Sequence, residues 1–410
     1  MTTTPTQETR PAELGNEGWA WPTPWIRSPS PAVTESGPVA DPAPGPSVLQ
    51  RLYDAEGQSP WLDHLSRADI PSGRLGRRVA AGIRGITANP AVLALALETS
   101  PAYDEQLSWL FSTGCTAQEA YRELAATDVL AACALLRPVY ETSQNVDGFV
   151  SIEVAPTLAR STRGAIAAAR RLRQRIDRPN LLVAIPATPE GIPAIQSTVS
   201  AGRSIHATSI FSNDRYSAVI DAYLSGLEAF VARGGDPSAV HGVASFSLSP
   251  VDAEVDRRLD RLDSRDAREL RGLAAVAQAR LAYRLFEERF STERWARLAR
   301  CGAHPQRLLW ASSGTDLEAD PISTYVEDLI APNTVHTLSE ATVAALEENG
   351  LAAPARGIDA REAAAVLSDL GAVGIDLDDI GVLLENQTAK LAQRSLDRVL
   401  ERLSARWGRR

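Results

Sequence analysis

Lysine is all but absent: of 42 basic residues 41 are arginine, and Lys390 is the only lysine in the chain. A GC-rich coding bias that replaces lysine by arginine and fills helices with alanine accounts for the trend, but nucleophilic amine chemistry is still confined to one position. Cysteine is scarce as well. Cys115, Cys133 and Cys301 are an odd number at wide spacing, which excludes a disulfide scaffold and a zinc site and fits a reducing compartment. A basic excess is missing too, since the net charge is -9, and that disfavours nucleic acid and anionic membrane surfaces as partners. No apolar run approaches the ~18 residues of a membrane span. The first residues, MTTTPTQETRPAELG, lack the basic and apolar regions of a secretory signal, so a cytoplasmic protein is expected.

What is present is a 410-residue chain with 44% hydrophobic and 23% charged residues, ordinary globular values that allow a large core. Residues 1–47 are rich in Pro, Thr, Ser and Glu and lack apolar periodicity, which predicts a flexible tail. Trp19, Trp21 and Trp25 interrupt it. Three indoles within seven residues carry an apolar load wasted in solvent, so contact with the domain, a second copy or another partner is expected there.

From Val48 to Arg410, short β-branched runs alternate with long Ala/Leu/Arg amphipathic stretches, the pattern of a parallel sheet covered by helices. Strands are predicted at 60–63, 84–88, 149–155, 181–187, 204–211, 241–248, 307–313 and 333–338, and helices at 117–136, 161–177, 213–233, 264–290 and 382–406. Eight strands without an internal repeat or linker predict a single (β/α)8 barrel with additional helices over residues 48–410. In such a barrel, chemistry sits at the C-terminal strand ends on inward side chains of period two. With Asp63 inward, Trp61 faces in as well; Thr87 pairs with Asn89, Ser151 with Glu153, Leu182 with Ala184, His206 with Thr208, and Ser245 with Ser247.

Several blocks resemble the transaldolases, of the actinobacterial type, in family order. They are WLDHLSR at 61–67, GITANPAVL at 85–93, VSIEVAP at 150–156, IPATPEGIPAI at 185–195, HATSIFSNDRYSAVIDAYLSGLE at 206–228, VASFSLSPVDAEVD at 243–256 and LWASSGT at 309–315. The resemblance implies a barrel of the class I aldolase type. It also implies transfer of a dihydroxyacetone unit between phosphorylated sugars through a lysine Schiff base. It makes Asp63 the proton-transferring residue and Glu153 the one that positions water. Thr87, Asn89, Thr208 and Ser245 become substrate-contacting positions, and Ser312 and Asp316 after the seventh strand are further substrate-binding candidates, although Asp316 departs from the family residue.

Departures fall at central positions. LLVAIPAT places Ala184 where the family carries its lysine, and Pro250 and Asp316 stand where it carries Arg and Lys for phosphate. His206 replaces an Asn on the fifth strand. The Lys390 helix, past the eighth strand, is expected well away from the barrel mouth.

From these departures the sequence reading favours Asp63, Glu153 and His206 as acid–base residues acting on a small, unphosphorylated, sugar-like compound of specialised metabolism. Its alternative is a non-catalytic protein that binds a metabolite or partner, and ordinary transaldolase activity is ranked last. His206 is expected beside Glu153, with its charged form favoured by the carboxylate. No cofactor and no metal is expected, because Asp63, Glu153 and His206 would supply only one imidazole. The bland reading of Asp63 is a helix cap, and that of His206 a packed interior histidine. His64, His241, His304 and His336 are read as structural.

Overall fold

The structure, a computed structural model, describes residues 45–88, 90–262, 264–311, 323–351 and 359–407. Eight strands run in parallel: β1 Gln58–Leu62, β2 Gly85–Ala88, β3 Phe149–Glu153, β4 Leu181–Pro186, β5 Ile205–Ile210, β6 Gly242–Ser247, β7 Arg307–Ala311 and β8 Thr334–Leu338. Each pairs with its sequence neighbour and β8 closes on β1, as the alternating pattern predicts. All eight fall on the expected segments. The register is even except in β5, where it shifts between Ala207 and Ile210, and Ser209 there adopts a left-handed φ of 59°. A bulge at the C-terminal end of a barrel strand re-aims the side chains around it, here Thr208 and Ser209.

Inside the barrel, Trp61, Phe149, Leu182, Val243, Leu309 and Val335 pack as one apolar layer, which bears out the inward phase read for β1 and β4. Gly85 on β2 is what admits the Trp61 indole, because a β-carbon there would lie 2.4 Å from the ring. Below this layer, towards the N-terminal strand ends, Arg307 of β7 donates to Asp147 at 2.9 Å, to Ser59 at 2.6 Å and to the Thr334 carbonyl at 2.8 Å. Arg84 donates to the same Asp147 carboxylate at 2.8 Å. This end is closed by an ion-paired plug.

The helices follow the amphipathic stretches with two differences. The segment 264–290 is two helices, Arg265–Glu269 and Ala274–Arg289, because Gly272 between them turns with a φ of +70° that side-chain-bearing residues avoid. The helix predicted over 117–136 instead continues through Pro138 to Thr142. Ser47, at the predicted domain boundary, caps Val48–Asp54 in a reciprocal box with Gln50. The 1–44 part of the predicted tail, with Trp19, Trp21 and Trp25, lies outside the described residues. No helix among the described residues is long and apolar enough to cross a membrane.

The C-terminal helix Leu377–Trp407 corrects a further expectation. It packs against Pro90–Thr99 after β2, Pro156–Leu158 after β3, Ser249–Leu259 after β6 and β5 itself, so it lies over the C-terminal side of the barrel rather than away from it. Ile380, Leu384, Leu396, Val399 and Leu403 are its buried stripe. Arg215 ties it down at Glu385 (3.0 Å) and Arg258 at Asp379 (2.7 Å), and Arg160 donates to Asn386. Lys390 sits on the opposite, exposed face.

Candidate active site

The strand ends place a polar set around Ala184. In the register Ala184 stands between Glu153 on β3 and His206 on β5. The buried His206 imidazole reaches past β4 to Ser151 of β3, with Nδ1 2.8 Å from the hydroxyl, and its Nε2 meets the hydroxyl of Ser245 on β6. Only a methyl group projects from β4 beneath that span. Burial lowers the imidazole to about 3, so the ring is neutral, with one N–H and one bare nitrogen. One serine therefore accepts and the other donates. The expected stabilisation of a charged His206 by Glu153 is not found, since among the described residues no carboxylate bonds to the ring. In the structure His206 bridges the hydroxyls of Ser151 and Ser245.

Glu153 closes β3 in a different environment. It lines a cavity of about 270 Å³ between the strand ends and the helices, together with Leu65, Leu93, Tyr121, Leu158 and Leu396. Burial raises its carboxyl to about 7. Tyr121, from helix Ala117–Thr142, has its phenol raised by burial and then by the Glu153 charge. A carboxyl poised near neutrality can give or take a proton at working pH. Its folded proton affinity exceeds the unfolded one, so its stabilising effect is present below pH 4.5 and is lost as pH rises through about 7. Glu153→Gln removes the titration. The Gln variant should gain stability relative to the unmodified chain between pH 4.5 and 7, by about 2–3 kcal/mol, and no further above. Thermal melts across that range check it, and a pH-independent difference would refute it.

Asp63 follows β1, and its N–H donates to the Leu338 carbonyl at 3.1 Å, which seats it on the β1–β8 seam. It caps no helix, for the next turn, Arg67–Asp69, begins at Ser66. Its carboxylate lies 3.3 Å from His64 Nδ1. Thr87 approaches the Leu62 carbonyl at 3.5 Å, and Thr208 lies two residues after His206 on β5, at the bulge. Asn89, Ser312 and Asp316 lie outside the described residues. Pro250 opens helix Ser249–Leu259 after β6.

No hydrogen bond or ion pair joins Asp63, Glu153 and His206 to one another, and among the described residues no group of three or more His, Cys, Asp or Glu could hold a metal ion. Sequence reading missed Tyr121 and the Ser151–His206–Ser245 bridge as a unit. Nothing local marks Tyr121, which arrives from a helix about thirty residues before the strand it serves. The bridge was legible in outline, because all three residues carry inward phase.

The geometry is thus a closed parallel barrel whose C-terminal strand ends carry Asp63, Thr87, Glu153, Thr208 and Ser245. The Transaldolase/Fructose-6-phosphate aldolase family model matches residues 60–403. A transaldolase of Thermobifida fusca is 45% identical over 367 residues, covering 88% of this chain and 99% of that protein. Transaldolase 2 of Streptomyces coelicolor is 45% identical over 83% of this chain and 92% of its own length. A transaldolase of Parafrankia is 43% identical over 86% and 96%. Likeness at this level along nearly whole proteins overturns the ranking drawn from Ala184, Pro250 and Asp316, which put ordinary transaldolase activity behind a repurposed enzyme and a non-catalytic binder. Those departures concern single positions, whereas the match spans the barrel from its first strand to its last helix, and the chain belongs to the transaldolase/fructose-6-phosphate aldolase family.

Proposed function

We propose that the chain acts as a transaldolase, moving a three-carbon ketose unit between sugar phosphates at the C-terminal mouth of the barrel. The observation that carries this reading is the 45% identity across 99% of the Thermobifida fusca transaldolase. The polar strand ends support it. Asp63 offers a carboxylate for the sugar hydroxyl whose proton leaves as the carbon–carbon bond breaks. Glu153, raised to about 7, is suited to holding or passing a proton to water. The hydroxyls of Thr87 and Thr208 offer directed hydrogen bonds to a polyhydroxylated ligand.

The family reaction runs through an imine on lysine, and here residue 184 is alanine while Lys390 supplies the only side-chain amine. Alanine can form no carbinolamine, and Lys390 stands on the outer face of its helix. The test is therefore double. Transfer from fructose 6-phosphate to erythrose 4-phosphate is measured with purified protein, and a parallel sample is reduced with borohydride and weighed by mass spectrometry. Transfer above the uncatalysed rate supports the proposal, and locating any adduct on a peptide then says whether the amine of Lys390 takes part. A folded protein that transfers nothing overturns it.

A further inference from the structure

His64 lies at the barrel mouth and is used by none of the chemistry above. Three elements converge on its ring. Nδ1 is 3.3 Å from Asp63 Oδ1, and Nε2 is 3.9 Å from Asp69 Oδ2 of the turn Arg67–Asp69 and 3.8 Å from Glu340 Oε1. Glu340 opens helix Glu340–Asn349 after β8. Both outer carboxylates are anchored in turn, Asp69 by Arg74 at 2.7 Å and Glu340 by Arg78 at 2.7 Å, with Glu347 on the same guanidinium at 2.9 Å. The ring thus faces, on its far side, carboxylates that are themselves anchored. Among the described residues, His64 is the only side chain bonded to the Asp63 carboxyl.

We propose that His64 is a positioning residue for Asp63: flanked at Nε2 by the carboxylates of Asp69 and Glu340, its ring sets the direction in which the Asp63 carboxylate faces the barrel mouth. The role given to Asp63 rests on the transaldolase reading; the pairing itself rests on the distances. A protonated ring donates from both nitrogens, to Asp63 on one side and towards Asp69 and Glu340 on the other. Once it loses a proton, one bare nitrogen must face a carboxylate, and the arrangement loosens. The hydrogen bond to Asp63 favours the charged ring; burial opposes it, and the charges of Asp63, Glu340 and Asp69 add to the first effect, so the imidazole is held above its ordinary value. Among the described residues, Arg74 and Arg78 behind the two outer carboxylates, with Glu347 on Arg78, are the remaining charged groups facing this cluster.

The substitutions His64→Asn and His64→Leu separate position from titration. In the Asn variant an amide N–H replaces Nδ1–H and cannot titrate; in the Leu variant the donor is gone. Transfer kinetics over pH 6–9 should show kcat of the Leu variant reduced about 10- to 100-fold with KM within about threefold, the scale of a misdirected reacting group. The Asn variant should recover most of kcat and lose the decline that the unmodified protein shows as His64 deprotonates. A Leu variant with unchanged kcat and pH profile overturns the proposal. The pairing has its own readout: in an NMR titration of the full chain, Asp63→Asn should bring the His64 imidazole down towards 6.5, and an unmoved His64 would overturn it. If the unmodified protein transfers nothing, the functional reading falls, and this titration alone decides the Asp63–His64 pairing.

Discussion

Replacing Arg307 by methionine should cost about 3–5 kcal/mol of folding stability, the range for breaking a buried ion pair from one side. Asp147 is fully buried beneath the apolar layer of the barrel. Burial alone would raise its carboxyl, but the charges of Arg307 and Arg84 and the hydrogen bonds they donate outweigh it and hold the group below its ordinary value. Without Arg307 the carboxylate keeps Arg84 and Ser59 but loses its most enclosed cation, and the hydroxyl of Ser59 and the Thr334 carbonyl lose donors. Denaturant titration measures the loss. Adding Asp147→Asn to Arg307→Met should return part of it, because the uncompensated charge is then gone. A loss below about 1 kcal/mol for the single variant would mean that this plug is not closed as described.

Acid should destabilise the protein steeply, beginning near pH 6.5. His206, His241 and His336 are lowered to about 3, His206 and His336 by burial alone, and His241 by burial first and then by His304 and Arg307. Above pH 6.5 these rings are neutral in both states and their full contribution is present. Below it the unfolded chain takes up protons that the folded one refuses, so stability is lost as pH falls towards 3. Each ring removes about 1.4 kcal/mol per pH unit, hence about 4 for the three. Glu153, together with Asp128 and Asp252, whose carboxyls burial also raises, and His64, whose ring its carboxylates raise, pulls the other way. A net loss of about 1–3 kcal/mol per unit between pH 6.5 and 5 remains, which takes a sizeable share of an ordinary domain's stability over that window. Chemical denaturation at half-unit steps measures it. Replacing His336 by Asn should lessen the slope by about 1.4 kcal/mol per unit, and a stability flat from pH 7 to 5 would refute the account.

The barrel was legible because its signal is repeated: every strand is a short apolar run bounded by breakers, and period two assigns its inward residues without any contact information. The same rule found Ser151, His206 and Ser245 on one inner surface but not that they bond to one another, because that depends on how far β3, β5 and β6 are staggered around closure. Sequence placed His206 near Glu153, and in the register it is near. It could not show that Ala184 separates them, or that Glu153 lines a cavity shared with Tyr121. Lys390 was misplaced for a related reason. Chain order puts its helix after β8, but the apolar stripe from Ile380 to Leu403 decides where the helix lies, and that stripe finds its match over the mouth. His64 looked ordinary since its partners Asp69 and Glu340 meet only when β1 and β8 become neighbours.

The single lysine has a practical side. Amine-directed reagents normally scatter over a protein surface, but Lys390 is the only side chain here that they can acylate, and it projects outward from the helix strapped across the barrel mouth. A fluorophore or a surface linker attached there would occupy one defined place, with the buried face of the helix left untouched. Its emission would then report on whether that strap shifts when a sugar enters, with no cysteine engineering and, once the terminal α-amine is blocked, no background from other amines.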